Sequence, residues 1–236
     1  MRAIVFYNYF EPYTLNQFSQ MNEFKITGGG YIGNAKATWP LATLNVTANM
    51  LSINLGFAGQ VFFNAGDITS IEPASGLSGS GIRINHTVSS YPQKIVFITS
   101  TPYNNIIENI KATGLFNKEV VHDQSVQYQV KKLQEQGRFP IKTAAIIVFI
   151  VGWNVPILIG FINNNIDGFF DYAPVSLSFA FLFIVLTLFV EPFRLWVLKE
   201  NRDIKDLRTT FYFLLIIVSA IFAFSLVFKH LPPAHR

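Results

Sequence analysis

Gly28-Gly29-Gly30-Tyr31-Ile32-Gly33 matches G-x-G-x-x-G, the spacing with which a glycine turn and the following helix N-terminus cradle a dinucleotide pyrophosphate. That chemistry needs a helix directly after the last glycine. Thr38, Trp39 and Pro40 follow instead, and no acidic residue stands about twenty positions on. The glycines therefore predict a bend or bulge at a strand. Histidine offers no base: His86 shares its parity with Ile82 and Ile84 and reads as a satisfied or rim side chain, while His122 beside Asp123 reads as solvated. His230 and His235 lack the partners a metal site requires. Asp67 and Glu72 flank Ile68 and Ile71 near turns and read as structural. Asn45 and Asn85 open glycosylation sequons that fall in strands, and both read as incidental. The chain has no cysteine, which excludes disulfides, thiolate metal sites and cysteine nucleophiles and fits a reducing compartment. The expectation is a non-enzymatic protein without cofactor or metal.

Two other groups of residues remain as candidates. Trp153-Asn154-Val155-Pro156 interrupts an apolar run. Pro156 removes one backbone donor and frees the carbonyl of Gly152, so Asn154 and that carbonyl could form an intramembrane polar site. A packing kink with one interhelical hydrogen bond is the preferred reading. The second group is basic: Arg83, Lys94, Lys131, Lys132, Arg194, Lys199, Arg202, Lys205 and Arg208 are candidate contacts to a membrane surface or a partner. The net charge is only +4 and no basic patch with interleaved aromatics appears, so nucleic acid is not expected as a partner.

The elements carrying these residues divide the chain. Half of the 236 residues are apolar and 14% are charged, against about 25% charged in an ordinary soluble domain. Residues 1–140 hold ten Lys or Arg and eight Asp or Glu; from 141 onward the charges collect in short connections. Three apolar runs predict transmembrane helices at about 142–162, 174–193 and 210–228, near the length of about 20 residues that a hydrocarbon core requires. Tyr172 and Phe193 are expected to extend the second run into the interface. Glu191-Pro192 ends it, with Glu191 solvated or paired with Arg194. None of the runs holds a central Asp, Glu, Lys or His, which argues against an ion-coupled transporter. Lys131, Lys132, Arg138 and Lys142 precede the first run, and Arg194 to Arg208 fill the second connection. The first connection, 163–173, has Asp167 and Asp171 but no Lys or Arg. Positive residues stay inside, so the N-terminal domain is expected in the cytoplasm and the C-terminus outside, in the cell membrane. Met1–Phe10 does not read as a signal peptide, because Asn8 interrupts it and Glu11 follows without a small-residue cleavage site. Residues 1–23 have no assigned structure.

Between 24 and 116 the chain reads as short strands. Leu44 and Val46 alternate with Thr43, Asn45 and Thr47; Leu51, Ile53 and Leu55 alternate with Ser52 and Asn54. Further strands are predicted at 60–64, 67–71, 81–87 and 94–99, a period-two pattern of half-buried antiparallel sheet. Thr101 as cap, Pro102 at the first helical position, and Tyr103, Ile106, Ile107 and Ile110 predict one amphipathic helix ending at Gly114. Residues 117–140 read as a polar stalk or tether, with Val121, Tyr128 and Leu133 as a weak stripe. The fold class expected is α+β: a β barrel or sandwich capped by one helix, then a three-helix transmembrane region.

The strand order, with TWPLATLNVT leading into MLSINL, then FFNAGDITSIEP, GIRINH and YPQKIVFIT before the helix, resembles a bacterial pleckstrin-homology-like (PH-like) domain of the GRAM type over residues 24–116. The resemblance implies a binding or assembly module for protein partners or membrane surfaces. It departs from phosphoinositide-binding members, which cluster basic residues at one barrel end, whereas Lys25, Lys36, Arg83, Lys94 and Lys111 are scattered. The function expected is a multi-pass membrane protein whose cytoplasmic module scaffolds an unknown protein partner or grips the anionic lipid surface. The alternative is a self-associating subunit of a pore or transporter, with Asn154 and Pro156 along the path and the soluble domain as an assembly collar.

Overall fold

In the computed structural model, residues 23–76, 79–117 and 123–229 are described. Residues 1–22, Val121, His122, His230 and His235 lie outside them. The alternating stretches form seven strands: β1 (Glu23–Ile32), β2 (Ala35–Thr47), β3 (Leu51–Asn54), β4 (Gln60–Phe63), β5 (Ile68–Gly76), β6 (Gly79–His86) and β7 (Ile95–Thr99). All neighbours are antiparallel, in the order β4-β3-β2-β1-β7-β6-β5. Two meanders thus meet where β1 pairs with β7, and the sheet curls into a half-barrel. Leu44, Val46, Leu51, Ile53, Ile82, Ile84 and Phe97 point inward and are fully buried.

The glycine run makes the corner. β1 pairs with β2 across its whole length, skips a register between Gly28 and Gly30, and pairs with β7 only from Gly29 onward. A Cβ at Gly28 would collide with the Ile98 carbonyl and the Phe97 ring, and one at Gly30 with the Val96 carbonyl. The bulge therefore depends on glycine because β7 crosses β1 at backbone contact.

Helix α1 (Tyr103–Ala112) lays Ile106 and Ile110 into the half-barrel core. Its cap differs from expectation. Pro102 occupies the N-cap position and accepts from the Ile106 N–H with its carbonyl, with no side-chain cap. Thr101 therefore lies one residue too early to cap.

The stalk segment is helical, and it packs on the sheet. Asp123 caps α2 (Gln124–Glu135) by accepting from the Ser125 hydroxyl and N–H at 2.7 and 2.8 Å, and these bonds hold its carboxyl below the usual value. Val126, Val130 and Leu133 recur at i, i+4 and i+7 and pack on Phe62 of β4, whereas Tyr128 is exposed. Tyr128, two residues and about 200° on from Val126, faces the opposite side of the helix. Burying Val130 and Leu133 contributes roughly 1.5–3 kcal/mol each, enough to hold a short helix on the sheet.

Helix α3 (Thr143–Phe189) contains two of the three candidate spans, Thr143–Asn163 and Asp171–Phe189. The expected first connection is helical too. Phe149 nonetheless packs on Phe183 with ring centroids 5.1 Å apart, and Gly152 lies against the Phe179 ring. A straight helix would separate Phe149 from Phe183 by about 51 Å at 1.5 Å per residue. The chain therefore reverses inside α3, and both contacts are centred near Ile166, so the two spans run antiparallel. The second ends at Phe189. Phe193 does not extend it but belongs to a separate short helix, α4 (Glu191–Val197), which Pro192 opens. Glu191 is exposed and forms no ion pair with Arg194 among the described residues. The third span, Arg208–Ser225, lies in α5 (Arg208–Lys229). Aromatic contacts bind the bundle: Phe183 meets Phe193 at 5.2 Å, and Phe179, Phe183, Phe211 and Leu214 join one apolar cluster.

Candidate functional site at the membrane junction

An edge strand exposes backbone donors and acceptors that must find partners. β4 is such an edge, and the chain running toward the first span covers it. The Gln60 N–H donates to the Arg138 carbonyl at 2.7 Å, the Phe62 N–H to the Tyr91 hydroxyl at 3.4 Å, and the Phe62 carbonyl accepts from Gln134 Nε2 at 2.9 Å. Gln134 Nε2 also reaches Asp67 Oδ2 at 2.8 Å, and its carbonyl accepts from Ser90 at 2.8 Å. Asp67 is thus structural, as expected, and it also receives the Asn64 N–H at 2.8 Å. Burial raises the Tyr91 hydroxyl to about 12. Arg138 then threads under the sheet: its Nη1 donates to the Ile32 carbonyl at 2.6 Å and its guanidinium covers Phe139.

The second connection closes on the same segment. Ile141 and Leu198 form an antiparallel bridge, with the Lys142 N–H on the Val197 carbonyl and the Lys199 N–H on the Pro140 carbonyl, both at 2.9 Å. Lys199 Nζ donates to the Gln136 carbonyl at 2.8 Å. Arg202, expected on a surface, is only 8% exposed. Its guanidinium donates to Gln60 Oε1 at 3.1 Å and to the carbonyls of Leu133 and Gly137 at 3.3 and 2.7 Å, and it stacks over Phe62 at 4.9 Å. A planar fork with five donors can serve β4, α2 and the linker at once, which an ammonium cannot. A third tie comes from the β3–β4 turn. Gly56, at φ +60°, lies against Thr210, and Phe57 meets Phe211 of α5 edge-on at 4.8 Å.

Beside these ties the second connection and Lys142 line an open cavity of about 650 Å³, at the level where the apolar helices begin and end. Its lining brings together Arg194, Lys199, Arg202, Lys205 and Arg208 with Lys142, a membrane flank in sequence; Glu200 and Asp203 are the acidic members. Both acids are engaged: Glu200 with Lys132 at 3.5 Å, and Asp203 with Lys205 at 3.8 Å. Lys142 Nζ donates to the Leu195 carbonyl at 2.8 Å. Arg194 and Arg208 have no carboxylate partner among the described residues. Burial, and after it the charge of Arg202, lowers the Lys199 pKa. Arg83, Lys94 and Lys131 are exposed elsewhere; Lys94 lies over the Tyr31 ring at 4.9 Å.

The remaining candidates resolve locally. Asn154 donates to the Ile150 carbonyl at 2.8 Å within its own helix, which continues through Pro156. The expected interhelical bond is absent among the described residues. His86 is buried, with Nε2 3.1 Å from the Pro92 carbonyl and its ring 5.2 Å from Phe63. Asn85 of the second sequon bonds Glu72 at 2.6 Å within the sheet. Among the described residues no three His, Asp or Glu side chains gather as a metal site.

Fold and site together define a class: an antiparallel half-barrel fastened at three points to helices long and apolar enough to cross a membrane. No family model matches the chain, and neither the curated proteins nor the solved structures contain a match.

Replacing Arg202 with Met keeps the aliphatic volume and strands two buried acceptors and a half-buried third. Charge-assisted bonds of this kind are worth about 1.5–3 kcal/mol each, so Arg202→Met should destabilise the protein by about 3 kcal/mol or more. Arg202→Lys should recover less than half. Thermal unfolding of the detergent-solubilised chain measures both; an unchanged midpoint for Arg202→Met would contradict the role assigned to the guanidinium.

Proposed function

We propose that the chain is a non-enzymatic binding module: a PH-like half-barrel on the cytoplasmic face, mounted on three spans and engaging the anionic membrane surface beside its own anchor. One observation carries this reading. The five basic residues of the second connection, Arg194 to Arg208, line one cavity together with Lys142, at the level where the spans begin and end. Each basic residue near an anionic leaflet is worth about 1 kcal/mol, and a module held beside the bilayer meets it at high effective concentration. The four-plus-three strand meander with a closing helix supports the PH-like assignment, and the Lys/Arg bias supports the cytoplasmic orientation. A protein partner docking on the fixed half-barrel is a compatible second layer. The pore reading gains nothing from Asn154, which is exposed and bonded within its own helix.

In nanodiscs the full chain should melt at a higher temperature with anionic lipid than with zwitterionic lipid, and raised salt should erase the difference. Equal melting in both lipids would remove the surface-binding reading. Orientation has its own check, because the chain lacks cysteine. An impermeant thiol reagent should label Asp167→Cys on intact cells and Lys131→Cys only after the membrane is opened; the reverse pattern would invert the assignment.

A further inference from the structure

We propose that the junction cavity is a binding site for a doubly charged phosphate headgroup, such as a terminal phosphomonoester on a membrane lipid. The inference rests on the membrane-surface reading above and names the ligand of that same site. Six cationic side chains line the cavity against two carboxylates, and each carboxylate already has a lysine partner. Arg194 and Arg208, without carboxylate partners among the described residues, offer the planar donor forks that match phosphate oxygens. Lys142 and Lys199 each spend one of three donors on a backbone carbonyl, leaving two apiece for an anion.

The size and position of the cavity agree with a headgroup. Its volume of about 650 Å³ falls within the roughly 300–1,000 Å³ of small-molecule sites. Lys142 immediately precedes the first span, Arg208 opens the third, and α4 follows the second. Leu195 and Trp196 of α4 are exposed at the same level, an apolar and aromatic rim of the kind found where acyl chains meet headgroups. The lowered pKa of Lys199 indicates crowded, partly desolvated positive charge, which a dianion relieves better than a monoanion. The charge count favours a phosphomonoester over a single phosphodiester, and the location favours a lipid over a soluble metabolite.

The full chain in phosphatidylcholine nanodiscs tests this, with phosphatidic acid as the dianionic probe and phosphatidylglycerol as the monoanionic one. Bound lipid is counted by native mass spectrometry after titration. The expected result is one saturable phosphatidic acid per chain, held more tightly than phosphatidylglycerol. The double variant Arg194→Gln/Arg208→Gln should bind it about thirtyfold more weakly, while Lys131→Gln binds unchanged. The melting temperature of each variant in neutral lipid checks that it is folded. Equal, non-saturating uptake of the two lipids would overturn the headgroup site while leaving general surface binding intact. Loss of anionic stabilisation altogether would overturn both. Displacement of phosphatidic acid by millimolar glycerol phosphate at equal affinity would overturn the lipid source and assign the site to a soluble phosphate.

Discussion

The open edge of β4 is the constraint on which the rest of the structure depends. A half-barrel of seven strands leaves two edges, and unpaired backbone groups on a strand invite association with other chains. Here Gln60 and Phe62 turn their outward groups to Arg138, Gln134 and Tyr91, so the sheet is completed by the segment that leads into the membrane. That segment cannot swing as a tether without uncovering the edge. Covering the edge and mounting the domain are one set of hydrogen bonds.

The same arrangement explains why so much positive charge sits at the junction. Arg202 must reach β4, the end of α2 and the linker simultaneously, which buries a guanidinium among carbonyls and one amide. Lys199 is drawn in beside it by the Ile141–Leu198 bridge. Buried cations are tolerated when hydrogen bonds and nearby anions compensate them. Asp203 and Glu200 pair with Lys205 and Lys132 instead, and the cavity lining remains net positive. The connection between the second and third spans thus acts as a structural clamp and as the source of the charged cavity.

Much of the half-barrel is legible in sequence because its signals are local. The alternation at Leu44–Val46 and Ile82–Ile84 reports one buried face, and the triple glycine before Tyr31 marks the corner where β1 changes partner. The three spans are legible from apolar length alone. The docking of α2 is not, because Val126, Val130 and Leu133 are sparse among polar residues and their partner, Phe62, lies some seventy positions earlier in the chain. Arg202 looks like every other flank charge; its acceptors are mostly backbone carbonyls, which carry no side-chain signature. The gathering of Lys142 with Arg194 and Arg208 likewise follows from the reversal inside α3 and the return of α5, contacts between helices that no local pattern encodes. Phe193 illustrates a simpler limit: Glu191-Pro192 marks the end of the second span in sequence, but an aromatic residue just beyond it fits an interfacial extension as well as the new short helix it belongs to.

The central claim is that half-barrel and membrane helices form one body. Spin labels at Thr87→Cys, on the half-barrel, and Val148→Cys, on the lipid-exposed face of the first span, report it directly by pulsed electron double resonance on the full chain in nanodiscs. A domain fastened at β4, Arg202 and Phe57 gives a single narrow distance distribution. A broad distribution, of the kind a flexible linker produces, would contradict the account.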